Sequence, residues 1–361
     1  MTAPTAPTRR PPSLLFGIPI DDVSMAETIE LIGDLVERGR RHGRSYQVAT
    51  VNVDFLVNAI DHADVHAILQ GADVCLADGT PVVWAARLFG MPLRERVAGS
   101  DLVPELVARS ESTGWRIHVL GSAPDVAERA IAMMGTRYPA ATFTVDPGPV
   151  IRDPTQVDNE TLDSIRRIDP DILCVALGNP KQERFIAAHR DRLGVPVMIG
   201  VGGSLDMYTG ERKRAPRWVQ RAGLEWVVRA LQEPRRLGPR YLHDIRVFGP
   251  RLVAEWRAVR RRRSLGGLTL ATSHASVGVS AGAPTVPDPA HWADAIGQLD
   301  GGAALRIESL VALQDRAAAQ LVGLLRHARG NAVAVSAPPV PELERVLGEL
   351  SVSWPALLGR R

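Results

Sequence analysis

Six clusters of polar and glycine residues, each close behind an apolar run, are where this chain can do chemistry. Thr50 and Asn52 close the run YQVATV. A hydroxyl and an amide at a strand end suit a sugar or a nucleotide, and equally suit the N-cap of a following helix. Asp78 stands directly after VCLA and before Gly79, Thr80 and Pro81. A partly buried carboxylate there can act as a general base; the plainer alternative is a cap, with Pro81 in the first helical turn. Arg96 and the polar turn Gly99-Ser100-Asp101 say little alone. Leu120-Gly121-Ser122-Ala123-Pro124 is a strand–glycine–helix turn that aims backbone amides at a phosphate, without the full GxGxxG pattern. Gly178 to Glu183 places the donors Lys181 and Gln182 at another strand end, and Gly200 to Gly203, with Gly202 inside it, gives a last glycine-rich end.

Two patterns imitate metal sites. His62 and His66 have i, i+4 spacing, but Ala63 stands where a zinc-protease helix needs a glutamate. Asp169 and Asp171 form a DxD that precedes the strand ILCVALG and so belongs to the opposite end of a parallel sheet. GxSxG, Walker A and Cys/His zinc patterns are absent from the sequence, so no metal and no cofactor is expected.

The elements that must hold these clusters alternate in type. SLLFGIPI, YQVATVNV, ADVCLAD, RIHVLG, ILCVALG and VPVMIGVGG read as strands. Helical patterns fall at 24–40, 55–69, 81–88, 101–111, 125–138 and 181–192. Continuous apolar strands between helices predict an α/β fold: a Rossmann-like, mainly parallel sheet with helices on both faces. In such sheets ligands bind at the strands' carboxyl ends, where the six clusters lie.

At 361 residues the chain is long enough for two or three domains, at roughly 100–200 residues each. Its 45% hydrophobic and 23% charged residues exclude collagen-like, disordered and disulfide-scaffold classes. Apolar runs fall short of the ~18–20 residues that a membrane span needs. Cys75 and Cys174 sit inside apolar runs and read as reduced core residues. Residues 1–12 read as a disordered tail and 13–206 as the core. From Glu211 to Arg263 sixteen Lys/Arg face five Asp/Glu, although the whole chain is only +3, so one basic segment rides on an acidic remainder. Residues 207–263 read as a helical appendage in which Arg214, Arg217, Arg221, Arg229, Arg235, Arg236 and Arg240 accompany Trp218, Leu224, Trp226 and Leu231. Tryptophan and leucine at helical spacing favour an interfacial helix over a nucleic-acid reader, so no nucleic acid is expected. Residues 264–267 read as a linker. Residues 268–361 read as a small domain with a hairpin, a helix near 291–299, the strand AALRIESL, a helix at 315–329, the strand AVAVSAP and a helix at 341–350; this domain is expected to be dispensable for folding and activity.

From Leu14 to Leu242 the chain resembles the WecG/TagA/CpsF glycosyltransferases, glycosyltransferase family 26, through TVNVDFL, LADGTPVVW, ERVAGSDL, LGNPKQERFI and above all RKRAPRWVQRAGLEWVVRALQEPRRLGPRYL. The resemblance implies an inverting, metal-free transferase of bacterial cell-surface polymer synthesis. It implies transfer of N-acetylmannosamine from a UDP-sugar to the 4-hydroxyl of N-acetylglucosamine on undecaprenyl diphosphate; other members move glucose or another hexose in exopolysaccharide synthesis, and no residue here decides between donors. It implies a cytoplasmic protein held peripherally on an anionic inner membrane face by the appendage. Asp78 would be the catalytic base, Thr50 and Asn52 would hold the sugars, and Gln182 and Arg96 would be further pocket residues. Arg214, Arg221 and Arg229 would reach the diphosphate, with Gly121, Lys181 and Gly202 from the strand-end reading lining the substrate site. The segment after Leu268 is similar to STAS domains. There Asp315 is followed by Arg316, Ala317 and Ala318 in place of a phosphorylatable serine, which implies a scaffold module with a protein partner. A homo-oligomer is also expected.

Overall fold

The computed structural model describes residues 10–210, 219, 225–265, 267–273, 275–282, 289–309, 313–331, 333–337 and 340–357. The run SLLFGIPI, expected as one strand, folds back on itself: β1 (Ser13–Leu15) pairs antiparallel with β2 (Ile18–Ile20), outside the main sheet. Phe16 and Gly17 at the turn both have positive φ, 53° and 77°. At Gly17 a side chain is excluded twice over, since a Cβ would lie 2.1 Å from the Ser351 carbonyl oxygen.

The helix α1 (Met25–His42) opens with a reciprocal capping box between Ser24 and Glu27 and stops at Gly43 in the left-handed region. Then come β3 (Tyr46–Val51), α2 (Val53–Asp61), α3 (Ala63–Gly71), β4 (Val74–Ala77), α4 (Thr80–Leu88), α5 (Gly99–Thr113) and β5 (Arg116–Gly121). They are followed by α6 (Pro124–Arg137), β6 (Thr142–Asp146), α7 (Asn159–Ile168), β7 (Ile172–Ala176), α8 (Lys181–Leu193), β8 (Val197–Gly200) and the short α9 (Ser204–Tyr208). Six strands form one all-parallel sheet in the order β4-β3-β8-β7-β5-β6. Its alternation is clean. Val48, Val74, Leu76, Cys174 and Ile199 face a core under α1, α5 and α6. Leu173, Val175 and Met198 turn to α7 and α8, while Ala49, Val51, Cys75 and Ala77 turn toward α2, α3 and α4.

Other elements depart from expectation. The predicted helix over 55–69 breaks at His62, which is extended (φ −132°, ψ 109°), so His62 and His66 do not share a continuous helix. His66 instead bonds the Phe16 carbonyl at 2.9 Å. The edge strand β6 carries only exposed and half-buried residues and no apolar run that would announce it.

The basic segment contributes α10 (Glu225–Gln232) and the 29-residue α11 (Pro234–Arg262). No helix among the described residues is long and apolar enough to cross a membrane. A second, four-stranded sheet follows, built from β9 (Gly267–Thr272), β10 (Ser276–Gly282), β11 (Ala304–Ser309) and β12 (Val335–Ser336) in the order β12-β11-β10-β9. The hairpin β9–β10 is antiparallel and the rest parallel. Helices α12 (Pro289–Asp300), α13 (Asp315–Gly330), α14 (Val340–Gly348) and α15 (Trp354–Leu357) accompany it.

The final segment does not hang free. Helix α13 is buried almost all round because one side faces its own sheet and the other faces β1 and β2. Leu321, Leu324, Leu325, Val346, Leu350 and Leu357 share one apolar cluster with Leu15, Ile18, Ile20, Leu56, Leu69 and Phe89. Buried charge crosses the same boundary. Arg326 binds Asp21 at 3.1 Å, and Arg329 binds Asp73 at 3.0 Å. The long helix α11 joins in through Val259, through Phe248 edge-on to Phe16 at 5.7 Å, and through Arg262 on Asp315 at 2.7 Å. This continuous core runs against the expectation that residues 268–361 are dispensable for folding.

Candidate active site

Strand register brings the predicted residues together. Val51 of β3 lies beside Ala77 of β4, and Ala49 of β3 beside Gly200 of β8. The carboxyl ends of β4, β3 and β8 therefore set the Asp78 turn, the Thr50–Asn52 turn and the Gly200–Gly203 loop side by side. Thr50 is buried, and its hydroxyl donates to the Gly200 carbonyl at 2.8 Å, tying β3 to β8 at this edge. Asn52 caps α2, its Oδ1 accepting from the Phe55 N–H at 3.3 Å. It also flanks the Asp78 turn, since a Cβ on Gly79 would come within 3.6 Å of the Asn52 Cβ.

Asp78 is half-buried. Its N–H donates to the Val51 carbonyl at 2.8 Å, and its Oδ2 accepts from the Gly99 N–H at 3.4 Å. Gly99 opens α5, so the carboxylate faces a helix N-terminus. Residue 99 must be small. A Cβ there would stand 3.1 Å from Ser204 Oγ and 3.5 Å from Thr50 Cγ2. Pro81 stands in the first turn of α4, as read from the sequence.

Gln182 is 1% exposed and acts as a brace: its Oε1 accepts from the Gly202 N–H at 2.9 Å and its Nε2 donates to Glu183 Oε1 at 2.9 Å. Gly200 lets this brace approach, because a Cβ there would fall 2.5 Å from Gln182 Nε2. Glu183, which the sequence reading did not single out, is equally buried, and its Oε2 has no hydrogen-bond partner among the described residues. Burial, reinforced by the nearby Asp54 charge, pushes its carboxyl up to about 8 despite the bond from Gln182. The shift is toward the neutral acid. Its only sequence signal was its place behind Gln182 in the NPKQE run.

The remaining predicted residues divide. Gly121 has φ 99°, and a Cβ would crowd the Ala176 carbonyl at 3.1 Å, so it keeps β5 and β7 in register at their ends. Lys181 is exposed, with its ammonium 3.5 Å from the Ile151 carbonyl, and is not brought into the cluster. Arg96 pairs with Asp101 at 3.3 Å and with Glu225 at 3.1 Å, fastening the start of α10 to the start of α5. Arg229 belongs to α10, while Arg214 and Arg221 lie outside the described residues. Asp171 lies at the amino ends of β5 and β7, where it accepts from the Arg116 N–H at 2.8 Å and pairs with Arg40. Among the described residues no group of three or more His, Cys, Asp or Glu is placed to hold a metal ion.

The appendage reaches the same edge through Asp54, in the first turn of α2. Arg240 of α11 pairs with Asp54, whose Oδ2 also accepts from Asn179 Nδ2 at 2.7 Å. His243 meets Asp61 at 2.8 Å, and the buried Asp244 carboxyl is pushed up to about 6 by burial and by the Asp54 charge. Arg240, counted by the sequence reading among membrane-facing charges, is instead turned to the core.

A sequence profile of the Glycosyl transferase WecG/TagA/CpsF family matches residues 13–263. The chain belongs to that family. It is an enzyme of the glycosyltransferase class. Similar proteins include the N-acetylglucosaminyldiphosphoundecaprenol N-acetyl-beta-D-mannosaminyltransferases of Staphylococcus aureus strains MW2 and NCTC 8325 / PS 47. Each is 28% identical over 249 residues, covering 69% of this chain and 95% of the relative. The family match takes in every predicted site residue and stops where α11 meets the final module.

Proposed function

We propose that this glycosyltransferase moves an N-acetylhexosamine, N-acetylmannosamine by the likeness to its relatives, from a UDP-sugar to N-acetylglucosamine carried on a polyprenyl diphosphate. The reaction inverts the anomeric centre and uses no metal. The observation that carries this reading is Asp78 at the junction of β4 and the N-terminus of α5, with Thr50 and Asn52 on the adjoining strand end. Asp78 takes the proton from the acceptor hydroxyl as that oxygen attacks the anomeric carbon from the face opposite UDP. One bond forms as the other breaks, and UDP leaves with the bonding pair. Its growing charge needs cations, and guanidinium forks match phosphate oxygens well. Arg214, Arg221 and Arg229 are assigned that task, with Arg96 fixing α10 close to the base. The pocket roles of Asn52, Gly121, Gln182, Lys181 and Gly202 are weighted by their geometry: Gln182 and Gly202 shape the loop facing Thr50, and Lys181 is the weakest of the set.

The acceptor's lipid places the reaction at a membrane surface, on the cytoplasmic face. Helices α10 and α11 support that docking. Leu231, Leu242, Ile245 and Val253 are exposed large apolar residues, and Arg235, Arg246, Arg251 and Arg257 are exposed beside them. The final module, read as STAS-like, is proposed as a scaffold. Asp315, the residue before its missing phosphorylation serine, is buried under Arg262.

A donor panel tests the reading. The full chain is incubated with UDP-N-acetylmannosamine, UDP-glucose and related donors, a short-chain lipid-diphosphate-N-acetylglucosamine acceptor, and EDTA in half the tubes; products are read by mass spectrometry. Disaccharide formation from UDP-N-acetylmannosamine, unchanged by chelator, is expected. Glucose transfer replaces the donor, collapse in EDTA removes metal independence, and no product from any donor overturns the reading.

A further inference from the structure

We propose that Asp54 is a positioning residue that couples the basic appendage to the reacting end of the sheet. This rests on the transferase reading of the same site. Asp54 has a side chain only 9% exposed, and three chain segments meet on it. Its own segment is the β3–α2 turn, two residues after Asn52. The second is the Gly178–Pro180 turn between β7 and α8, whose Asn179 donates Nδ2 to Asp54 Oδ2 at 2.7 Å. The third is α11, through Arg240.

The chemistry of the contacts fixes a direction for each partner. An ionised carboxylate only accepts, so it selects the nitrogen of the Asn179 amide and turns Oδ1 away. That Oδ1 is buried with no hydrogen-bond partner among the described residues. Two residues further on, the same turn delivers Lys181 and the Gln182 brace that holds the Gly200–Gly202 loop against Thr50. Arg240 meets the same carboxylate oxygen, Oδ2, that takes the Asn179 amide, so a shift of α11 moves Asp54, the Asn179 turn and the loop together. The neighbouring pair His243–Asp61 and the buried Asp244 make the contact of α11 with α2 a patch, of which Asp54 is the member that reaches the strand ends. Thus the helix that would rest on the membrane is wired by one carboxylate to the turn that shapes the site.

The test uses the full chain and the variants Asp54→Asn, Arg240→Gln and the double variant. Misplacing a site by about 1 Å costs up to about 100-fold in rate. Each single variant is expected to lose about 10- to 100-fold in kcat on the short-chain acceptor, with KM for the UDP-sugar within about threefold of wild type. The double variant should be no worse than the poorer single one, as for two residues acting through one contact. Amide hydrogen exchange across 234–250 should quicken in both single variants, while β3 and β8 stay protected. Additive losses, or unchanged exchange in α11 with Asp54→Asn, would overturn the proposal. If Asp54→Asn does not fold, Arg240→Gln, whose side chain is 44% exposed, decides by kcat and exchange alone. A wild-type chain that transfers no sugar brings down the reaction reading, while the exchange comparison still decides the coupling.

Discussion

Replacing Arg329 with methionine tests whether the final module and the transferase core melt as one body. The guanidinium is 9% exposed and its partner Asp73 is 8% exposed. Arg329 donates to Asp73 Oδ1 at 3.0 Å, to the Leu357 carbonyl at 3.0 Å and to the Ala72 carbonyl at 3.3 Å. Methionine keeps most of the apolar stem and removes all three bonds. Asp73 would retain the Gln47 N–H at 2.9 Å and Arg190 at 3.6 Å, too little to balance a buried charge. Breaking one side of such a pair costs about 3–5 kcal/mol. Unfolding entropy near ~2.1 cal/mol/K per residue over 361 residues makes ~0.75 kcal/mol/K. The expected fall in Tm is therefore about 4–7 °C in a single calorimetric transition. Acid supplies a second readout. Burial alone would raise the Asp73 carboxyl, but Arg329, Arg190 and the Gln47 N–H outweigh it and hold the folded value below the usual one. Stability from that depressed value is present above pH ~4 and lost as pH falls below it, so the gap between variant and wild type should close in acid. A Tm within about 1 °C of wild type, or a separate module transition, would refute the shared-core reasoning.

Three further outcomes are expected. Asp78→Asn keeps the shape of the turn but cannot accept the acceptor's proton, so kcat should fall about 100-fold or more while UDP-sugar binding, followed by calorimetry, persists. Glu183 is raised to about 8 in the fold; the folded state then holds a proton that the unfolded chain releases above pH ~4.5, so wild-type stability should decline from pH ~5 to 8, and denaturant midpoints of Glu183→Gln should lack that decline. Vesicles containing anionic lipid should retain the protein at low salt and release it at high salt, at ~1 kcal/mol per engaged cation, with Leu242→Asp plus Ile245→Asp abolishing retention.

The parallel sheet was legible because buried strands such as VCLA and ILCVA are apolar without alternation, and because polar turns mark their ends. The placement of Thr50, Asn52 and Asp78 at the sheet's carboxyl edge was legible for the same reason: they stand at or just past the ends of parallel strands. Tertiary contact was not legible. Nothing local tells that Arg240 turns to Asp54, that Gln182 folds back onto Gly202, or that β1 and β2 leave the main sheet. The small residues of α13, Ala317 to Ala319 with Gly323, read as an ordinary helix. Gly323 is small because Trp292 and Pro12 both approach it closely, each at 2.8 Å from a Cβ built there. That crowding comes from opposite ends of the chain, beyond any local pattern.

The contact between Gly17 and Ser351 also sets a timetable. The hairpin leaves the ribosome well before the surface that covers it, which is made about three hundred residues later. At synthesis rates of ~5–20 residues per second, Leu15, Ile18 and Ile20 wait roughly 15–70 s for α13 and the residues after it. The α/β core can form in that interval with one apolar face still bare. A nascent chain of this kind calls for a chaperone, or for slow and cool expression, in proportion to the delay. Ending the chain near residue 263 would make the wait permanent.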